Sequence, residues 1–185
     1  VITVSKEIEN SLKKALPHIA SKVLTVENII DEKEILKLSE ESANFGDDFS
    51  GIRIVTMGRI CDQKGYDLAV PAIARLKTEG YSVKWYILGR GSAEEEQALA
   101  YLIEQYHARD AISILGIRKN PYPYIRESKG LLLPSRHEGF PNVLLEANAL
   151  GVPVFANKCP GGINEIVIQG VNGYSCDFEN HQDFI

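Results

Sequence analysis

From Ile52 onward, short runs of apolar residues alternate with longer amphipathic stretches, the pattern of repeated strand and helix units around a parallel sheet. The runs predict strands at Ile52 to Gly58, Val83 to Gly89, Ile112 to Gly116, Gly130 to Ser135 and Val152 to Asn157, with a sixth in "GYSCDF" from Gly173. Between them the 3.6-residue period predicts helices over Tyr66 to Thr78, Ala93 to His107, Tyr122 to Ser128, Asn142 to Leu150 and Ile163 to Gln169. Gly- or Pro-bearing turns join them. The closing "ENHQDFI" reads as the start of a further helix. The expected fold is α/β, a doubly wound and mainly parallel, Rossmann-like sheet.

The first fifty residues follow another pattern. "VITVSKEIENSLKKALPHIASKVLTVENIID", residues 1–31, has a strand and helix rhythm of its own, and a charged stretch follows it through Asp48. The expected organisation is an overhang at 1–31, a polar linker at 32–50 and the α/β domain at 51–185, with the chain read as a fragment.

Length and composition narrow the function. A chain of 185 residues accommodates one domain of ordinary size. A net charge of -5 argues against a nucleic-acid partner, which would need clustered Lys and Arg. Cys61, Cys159 and Cys176 show no C-x-x-C spacing, so neither a disulfide framework nor a zinc site is expected and a cytoplasmic setting fits best. No apolar run approaches ~20 residues, the length needed to cross a bilayer.

Ligands of doubly wound sheets bind at the carboxyl ends of the strands. Four strand-end loops carry unusual residues: "GRICDQKG", "GRGS", "GIRKNP" and "SRHEGFPN". The last leads into a helix with Glu138 in the loop and Glu146 just over one turn into the helix, so both carboxylates can flank one ligand. The N–H groups of Gly139, Phe140, Asn142 and Val143 would face an anion at the positive end of that helix, with Pro141 near its first position. In "GRICDQKG", Arg59 and Lys64 offer two cations suited to a diphosphate. Fixed cations there stabilise a departing diphosphate more in the transition state than in the ground state. Standing alone, each motif would read as solvated surface charge; on one sheet edge they read together as a site.

Several rival signals fail. "GRGSAE" lacks the third glycine of a dinucleotide fingerprint, and no G-x4-G-K-[ST] occurs. Asp47-Asp48 lies in the polar stretch rather than a strand-end loop, so no catalytic metal and no cofactor are expected. Of the histidines, only His137 falls in a strand-end loop, and Cys61 lacks a paired His, so neither is assigned chemistry. Tyr122 and Tyr124 could stack on a base, though aromatics beside prolines more often pin a turn.

The "GR…K" loop and the E-x7-E motif "EGFPNVLLE" together resemble the retaining, family-four glycosyltransferases, and the likeness covers nearly the whole chain. It implies the C-terminal, donor-binding half of a GT-B fold. By that resemblance, Arg59 and Lys64 clamp the donor diphosphate and Glu146 binds ribose hydroxyls. Glu138 faces the transferred sugar, Gly58 and the backbone of Gly139 to Leu144 line sugar and phosphate, and Ile117 or Arg118 meets the base. Residues 1–31 resemble the passage out of the acceptor domain through the hinge, where the family usually has Asn-Gly and this chain has Asn28-Ile29.

The implied reaction is transfer of a hexosyl unit from a nucleoside-diphosphate sugar, UDP favoured, to an acceptor hydroxyl with retention, in assembly of surface polysaccharide or lipopolysaccharide. A carbohydrate or lipid-linked acceptor would bind through a further domain, with peripheral contact at the inner face of the membrane left open. The alternatives are a non-catalytic nucleotide-sugar-binding module and another GT-B enzyme such as a nucleotide-sugar epimerase.

Overall fold

In the computed structural model, which describes residues 1–179, six strands form one sheet: β3 (Ile52–Met57), β4 (Val83–Leu88), β5 (Ile112–Ile114), β6 (Gly130–Leu133), β7 (Val154–Asn157) and β8 (Gly173–Cys176). Their order is β5-β4-β3-β6-β7-β8, and every pairing is parallel. Chain order runs outward to one side from β3 and to the other from β6, so the sheet reverses direction between these two neighbours. The loops that leave them splay apart there and open a crevice.

Period-two alternation sends side chains to two separate cores. Val55, Tyr86, Leu88, Leu131, Leu133, Val154 and Ala156 face one way, toward α5 (Tyr122–Arg126), α6 (Asn142–Ala149) and α7 (Ile163–Ile166). Ile54, Trp85, Ile87, Leu132 and Phe155 face α3 (Tyr66–Thr78) and α4 (Ala93–Gln105). Each fully buried aliphatic side chain contributes roughly 1.5 to 3 kcal/mol. The buried indole N–H of Trp85 donates to Thr56 Oγ1 at 2.8 Å, and that hydroxyl donates to the Leu132 carbonyl at 2.6 Å, so no polar atom of this pair is left without a partner.

The expected strands and helices are all present within the described residues, with ends that shift by up to three residues. The helix expected through Gln169 stops at Ile166 because Val167 turns extended and Gly170 takes a positive φ of 73°. Of the closing "ENHQDFI", residues 180–185 lie outside the described residues.

The first fifty residues are built differently from a tail and a linker. β1 (Ile2–Thr3) and β2 (Leu24–Thr25) make a separate parallel pair beside α1 (Lys6–Ala15). The Glu165 carboxylate accepts from the N–H groups of Lys6 and Glu7, each at 3.0 Å, and caps α1 from α7.

The stretch read as a polar linker contains α2 (Glu32–Leu38), which packs on α5 and α6, and then a strap anchored by Phe45. That ring is 6% exposed and meets Tyr86 and Tyr124 edge-on at centroid distances of 4.6 and 5.1 Å. Asp47 accepts from Tyr86 Oη at 2.9 Å and pairs with Lys84 at 2.7 Å. Residues 32–50 are therefore part of the domain's packing; the charge of the stretch concealed the anchoring role of Phe45.

Candidate active site

The two motif loops leave β3 and β6, the neighbours at which the sheet reverses, so the topology alone places them face to face. After β3, the chain makes a short 3-10 turn, Asp62–Lys64, closed by Gly65 at φ 61°. A Cβ there would lie 2.2 Å from the Pro134 carbonyl, so only glycine lets the first loop approach the second. The loops are then stitched by hydrogen bonds. Arg136 N–H donates to the Gln63 carbonyl at 2.8 Å, Gln63 Nε2 to the His137 carbonyl at 3.1 Å, and the Arg136 guanidinium to the Asp62 carbonyl at 2.8 Å. The guanidinium also grips both oxygens of Asp67, at 2.8 and 2.6 Å, which holds that carboxyl below its usual range.

This framework brings Lys64 and Glu138 into direct contact. Lys64 Nζ lies 2.6 Å from Glu138 Oε1, and Ser135 Oγ donates to the same oxygen at 2.6 Å. The Lys64 stem passes over Gly58, with Cε 3.5 Å from where a Cβ would stand. Arg59, in contrast, is exposed and makes no ion pair or hydrogen bond among the described residues. Of these two cations one is thus already paired and one free among the described residues.

On the far side of Glu138, the loop after β7 presses in. Glu138 N–H donates to the Pro160 carbonyl at 3.1 Å, and Gly162 N–H to the Gly139 carbonyl at 2.8 Å. Gly161 has φ 120°, and a Cβ on it would stand 1.5 Å from the Glu138 carbonyl oxygen. Pro141 is extended and immediately precedes α6, whose first residue, Asn142, is where the sequence placed the helix start. Leu144 N–H bonds back to the Pro141 carbonyl at 3.0 Å. The N–H groups of Gly139, Phe140, Asn142 and Val143 donate to nothing among the described residues, and those of Asn142 and Val143 open the first turn of α6. Such a helix start attracts an anion.

Glu146 lies one turn along α6. Burial raises its pKa above the usual carboxylate range, and its Oε2 is buried with no hydrogen-bond partner. It borders a pocket of about 190 Å³ with Asn142, Tyr122, Ile29, Ile30 and Asp31 before α2, and Glu34 and Ile35 within it. Asn28 reaches the same place from that segment, donating to the Phe140 carbonyl at 3.1 Å and to Asn142 Oδ1 at 2.8 Å.

At the end of β5, Ile117 is 71% exposed while Arg118 is turned back on the protein, donating to Tyr124 Oη at 3.0 Å and to the Leu115 carbonyl at 2.5 Å. Tyr124 is also buried in the core, so it pins this turn, and Tyr122 borders the Glu146 pocket instead.

The sequence reading singled out the charged groups and missed their supports. Ser135, Arg136, Gln63 and Asn157 touch the motif through contacts set by the meeting of distant loops, and nothing local in the chain marks them. Cys159 is buried beside Glu138; desolvation, with the neighbouring carboxylate, pushes its thiol up to about 11, which leaves it unreactive near neutral pH. A cavity of about 640 Å³ lies on the α3 face of the sheet between Ile54, Leu132, Phe155 and Tyr174. Its lining mixes apolar side chains with Lys158, Gln169 and Ser175 and includes none of Arg59, Lys64, Glu138 or Glu146, so it is separate from this site.

A crevice at the reversal of an all-parallel sheet, with a paired Lys and Glu beneath an open helix start, defines a Rossmann-like α/β domain of the kind found in GT-B glycosyltransferases. Residues 37–185 match the family Glycosyl transferases group 1, and the chain belongs to that family. An uncharacterized glycosyltransferase of Methanocaldococcus jannaschii is 28% identical over 178 residues, 93% of this chain and 43% of that protein. A diphospho-undecaprenol 4-alpha-N-acetylgalactosaminyltransferase of Campylobacter jejuni is 32% identical over 139 residues, covering 75% of this chain and 36% of that protein. The chain thus spans less than half the length of these curated relatives. Among solved structures, a Rickettsia africae glycosyltransferase superposes with a TM-score of 0.82 at 19% identity, covering 99% of this chain and 50% of that one. Anabaena HepE, solved in complex with UDP, gives 0.81 at 22% identity, with 99% and 51% covered. The likeness to these structures extends over residues 1–50 as well as the sheet, and it establishes the fold.

Proposed function

We propose that the protein transfers a hexosyl unit from a nucleoside-diphosphate sugar, UDP favoured, to an acceptor hydroxyl with retention of configuration, and that this chain is its donor-binding half. The observation that carries the reading is the convergence of Lys64, Glu138 and the start of α6 on one crevice, with Arg59 free beside it. The diphosphate lies between Arg59, Lys64 and the open N–H groups of α6, and Glu138 faces the sugar. Glu146, with its unsatisfied oxygen, accepts from ribose hydroxyls, and the exposed backbone at Ile117 meets the base.

Cleavage of the glycosidic bond leaves charge on the departing diphosphate, where the cations and the helix dipole stabilise it. Glu138 is tied to Lys64 and Ser135 rather than poised as a covalent nucleophile, so acceptor attack on the same face, assisted by the leaving phosphate, accounts for retention. The reading needs no metal and no cofactor. Residues 1–31 belong to the acceptor half and the hinge; an acceptor that is carbohydrate or lipid-linked binds there. The C. jejuni transferase, together with relatives named for amylovoran and colanic acid biosynthesis, supports a role in surface polysaccharide or lipopolysaccharide assembly at the cytoplasmic side.

A thermal-shift panel of UDP, GDP and ADP with their hexose conjugates tests the donor. A shift with UDP and its sugars above the others is expected, because a ligand bound only by the folded state stabilises it. No shift with any nucleotide would sink the reading. Acceptor-dependent transfer of labelled sugar by the full protein separates a transferase from an epimerase or a binding module.

A further inference from the structure

The hydrogen bonds on Glu138 are distributed unequally between its two oxygens. Oε1 accepts twice, from Lys64 Nζ and from Ser135 Oγ, both at 2.6 Å. Oε2 accepts from no group among the described residues, although the side chain is only 8% exposed. A carboxylate with one oxygen doubly filled cannot rotate freely; its second oxygen is held out as the acceptor that remains.

Ser135 is itself rigid. It is 0% exposed, and its carbonyl accepts from Asn157 Nδ2 at 3.1 Å. Asn157, at the end of β7 and also buried, accepts on Oδ1 from the N–H of Phe178 at 3.0 Å. Three neighbouring chain segments, the ends of β6 and β7 and the stretch after β8, are therefore locked together directly behind Glu138. A serine hydroxyl in the interior could as well have bonded a nearby carbonyl; here it is spent on a carboxylate that Lys64 already neutralises, where a charge-assisted bond is strongest.

We propose that Ser135 is a positioning residue for Glu138: its buried hydroxyl, with Lys64, fills Oε1 and so presents Oε2 alone to the hydroxyls of the transferred sugar. The arrangement makes sugar recognition separable from nucleotide recognition, since Ser135 lies behind the carboxylate and away from the open N–H groups of α6. It also divides the labour of the pair. When a diphosphate draws Lys64 toward it, Ser135 keeps Glu138 in place. This rests on the sugar-facing role of Glu138 given above.

The test uses calorimetry on the full protein with UDP and with UDP-glucose, with UDP-N-acetylglucosamine, GDP and GDP-mannose in parallel. Ser135→Ala removes only the hydroxyl, and Ser135→Cys keeps side-chain bulk while losing the strong donor. Both are expected to leave the Kd for the nucleoside diphosphate within about twofold, which also shows that they fold, and to raise that for the nucleotide sugar about tenfold. In a Glu138→Ala background, Ser135→Ala should have no further effect, because a residue acting only through another is silent once that partner is gone.

If Glu138→Ala weakens sugar-nucleotide binding and Ser135→Ala does not, the positioning role is wrong and the reading of Glu138 stands. If Glu138→Ala leaves sugar-nucleotide binding unchanged, both fall. Equal loss of UDP and UDP-glucose affinity in the serine variants would mark a structural role only and likewise overturn the proposal.

Discussion

Arg59 and Lys64 carry the same charge and stand in the same loop, yet their surroundings give them different consequences. Arg59 is exposed and unpaired among the described residues, so Arg59→Ala removes the proposed phosphate ligand and little else. Lys64 neutralises Glu138, whose side chain is 8% exposed. Lys64→Ala therefore leaves a nearly buried carboxylate without its counter-charge, at a cost of about 2 kcal/mol in folding stability. Turnover by the full protein should drop roughly a hundredfold or more in both, as for loss of a transition-state electrostatic group. Only Lys64→Ala should also lower the urea midpoint. Equal stability losses would mean that the Lys64–Glu138 pair is not maintained in solution.

Glu146 adds a pH dependence whose sign follows from its burial. Desolvation raises its folded-state pKa, so the folded protein holds this proton more tightly than the unfolded chain. Its contribution to stability is present at low pH and is lost as pH climbs from the ordinary carboxylate range through the raised value. Ribose hydroxyls donating to the carboxylate would favour its charged form, so binding releases the proton. UDP affinity measured by calorimetry should rise with pH across that weakly acidic window, and Glu146→Gln should flatten the rise and weaken binding by roughly 1 to 3 kcal/mol. A wild-type profile that stays flat would remove Glu146 from the ribose site.

At the scale of elements, the strap between α2 and β3 is the structural surprise. Phe45 joins residues 32–50 to the core through Tyr86 and Tyr124, and the Arg53 guanidinium lies over its ring, 4.7 Å from the centroid. Phe45→Ala should cost about 3 kcal/mol, the range for a buried aromatic truncated to a methyl, read as a lowered urea midpoint at unchanged slope. A loss within about 0.5 kcal/mol, ordinary for a surface position, would show that the segment is the linker its composition announces.

The strap was illegible for a clear reason: Phe45 and Phe49 among charges give no period, and the partners of Phe45, Tyr86 and Tyr124, lie some forty and eighty residues away along the chain. The strands and helices were legible because their signal is local, short apolar runs in strands such as β4 and β6 that are buried on both faces, and 3.6-residue spacing in α3 and α4. The site divides the same way. Charged residues at strand ends were readable, whereas Ser135, Arg136 and Asn157 acquire their roles only when β6 and β7 are placed side by side.

The molecule as a whole has two unequal parts. Six parallel strands bury a core on both faces, while β1 and β2 pair over two residues each, far too little to stand alone. In and just after that small pair the chain exposes Ile2 at 69%, Leu24 at 51% and Val26 at 53%. Such an apolar patch is the kind that a partner surface covers, and a site at the carboxyl edge of one Rossmann-like unit has only one wall. Both features fit a donor half that works against an acceptor half. The 185-residue span produced alone is then expected to fold, to bind UDP more weakly than the full protein, to associate with itself as concentration rises, and to transfer no sugar. Sedimentation and labelled-donor transfer assays check this together. Acceptor-dependent transfer by the isolated span at the rate of the full protein would mean that the crevice between β3 and β6 is a complete active site, with no second wall required.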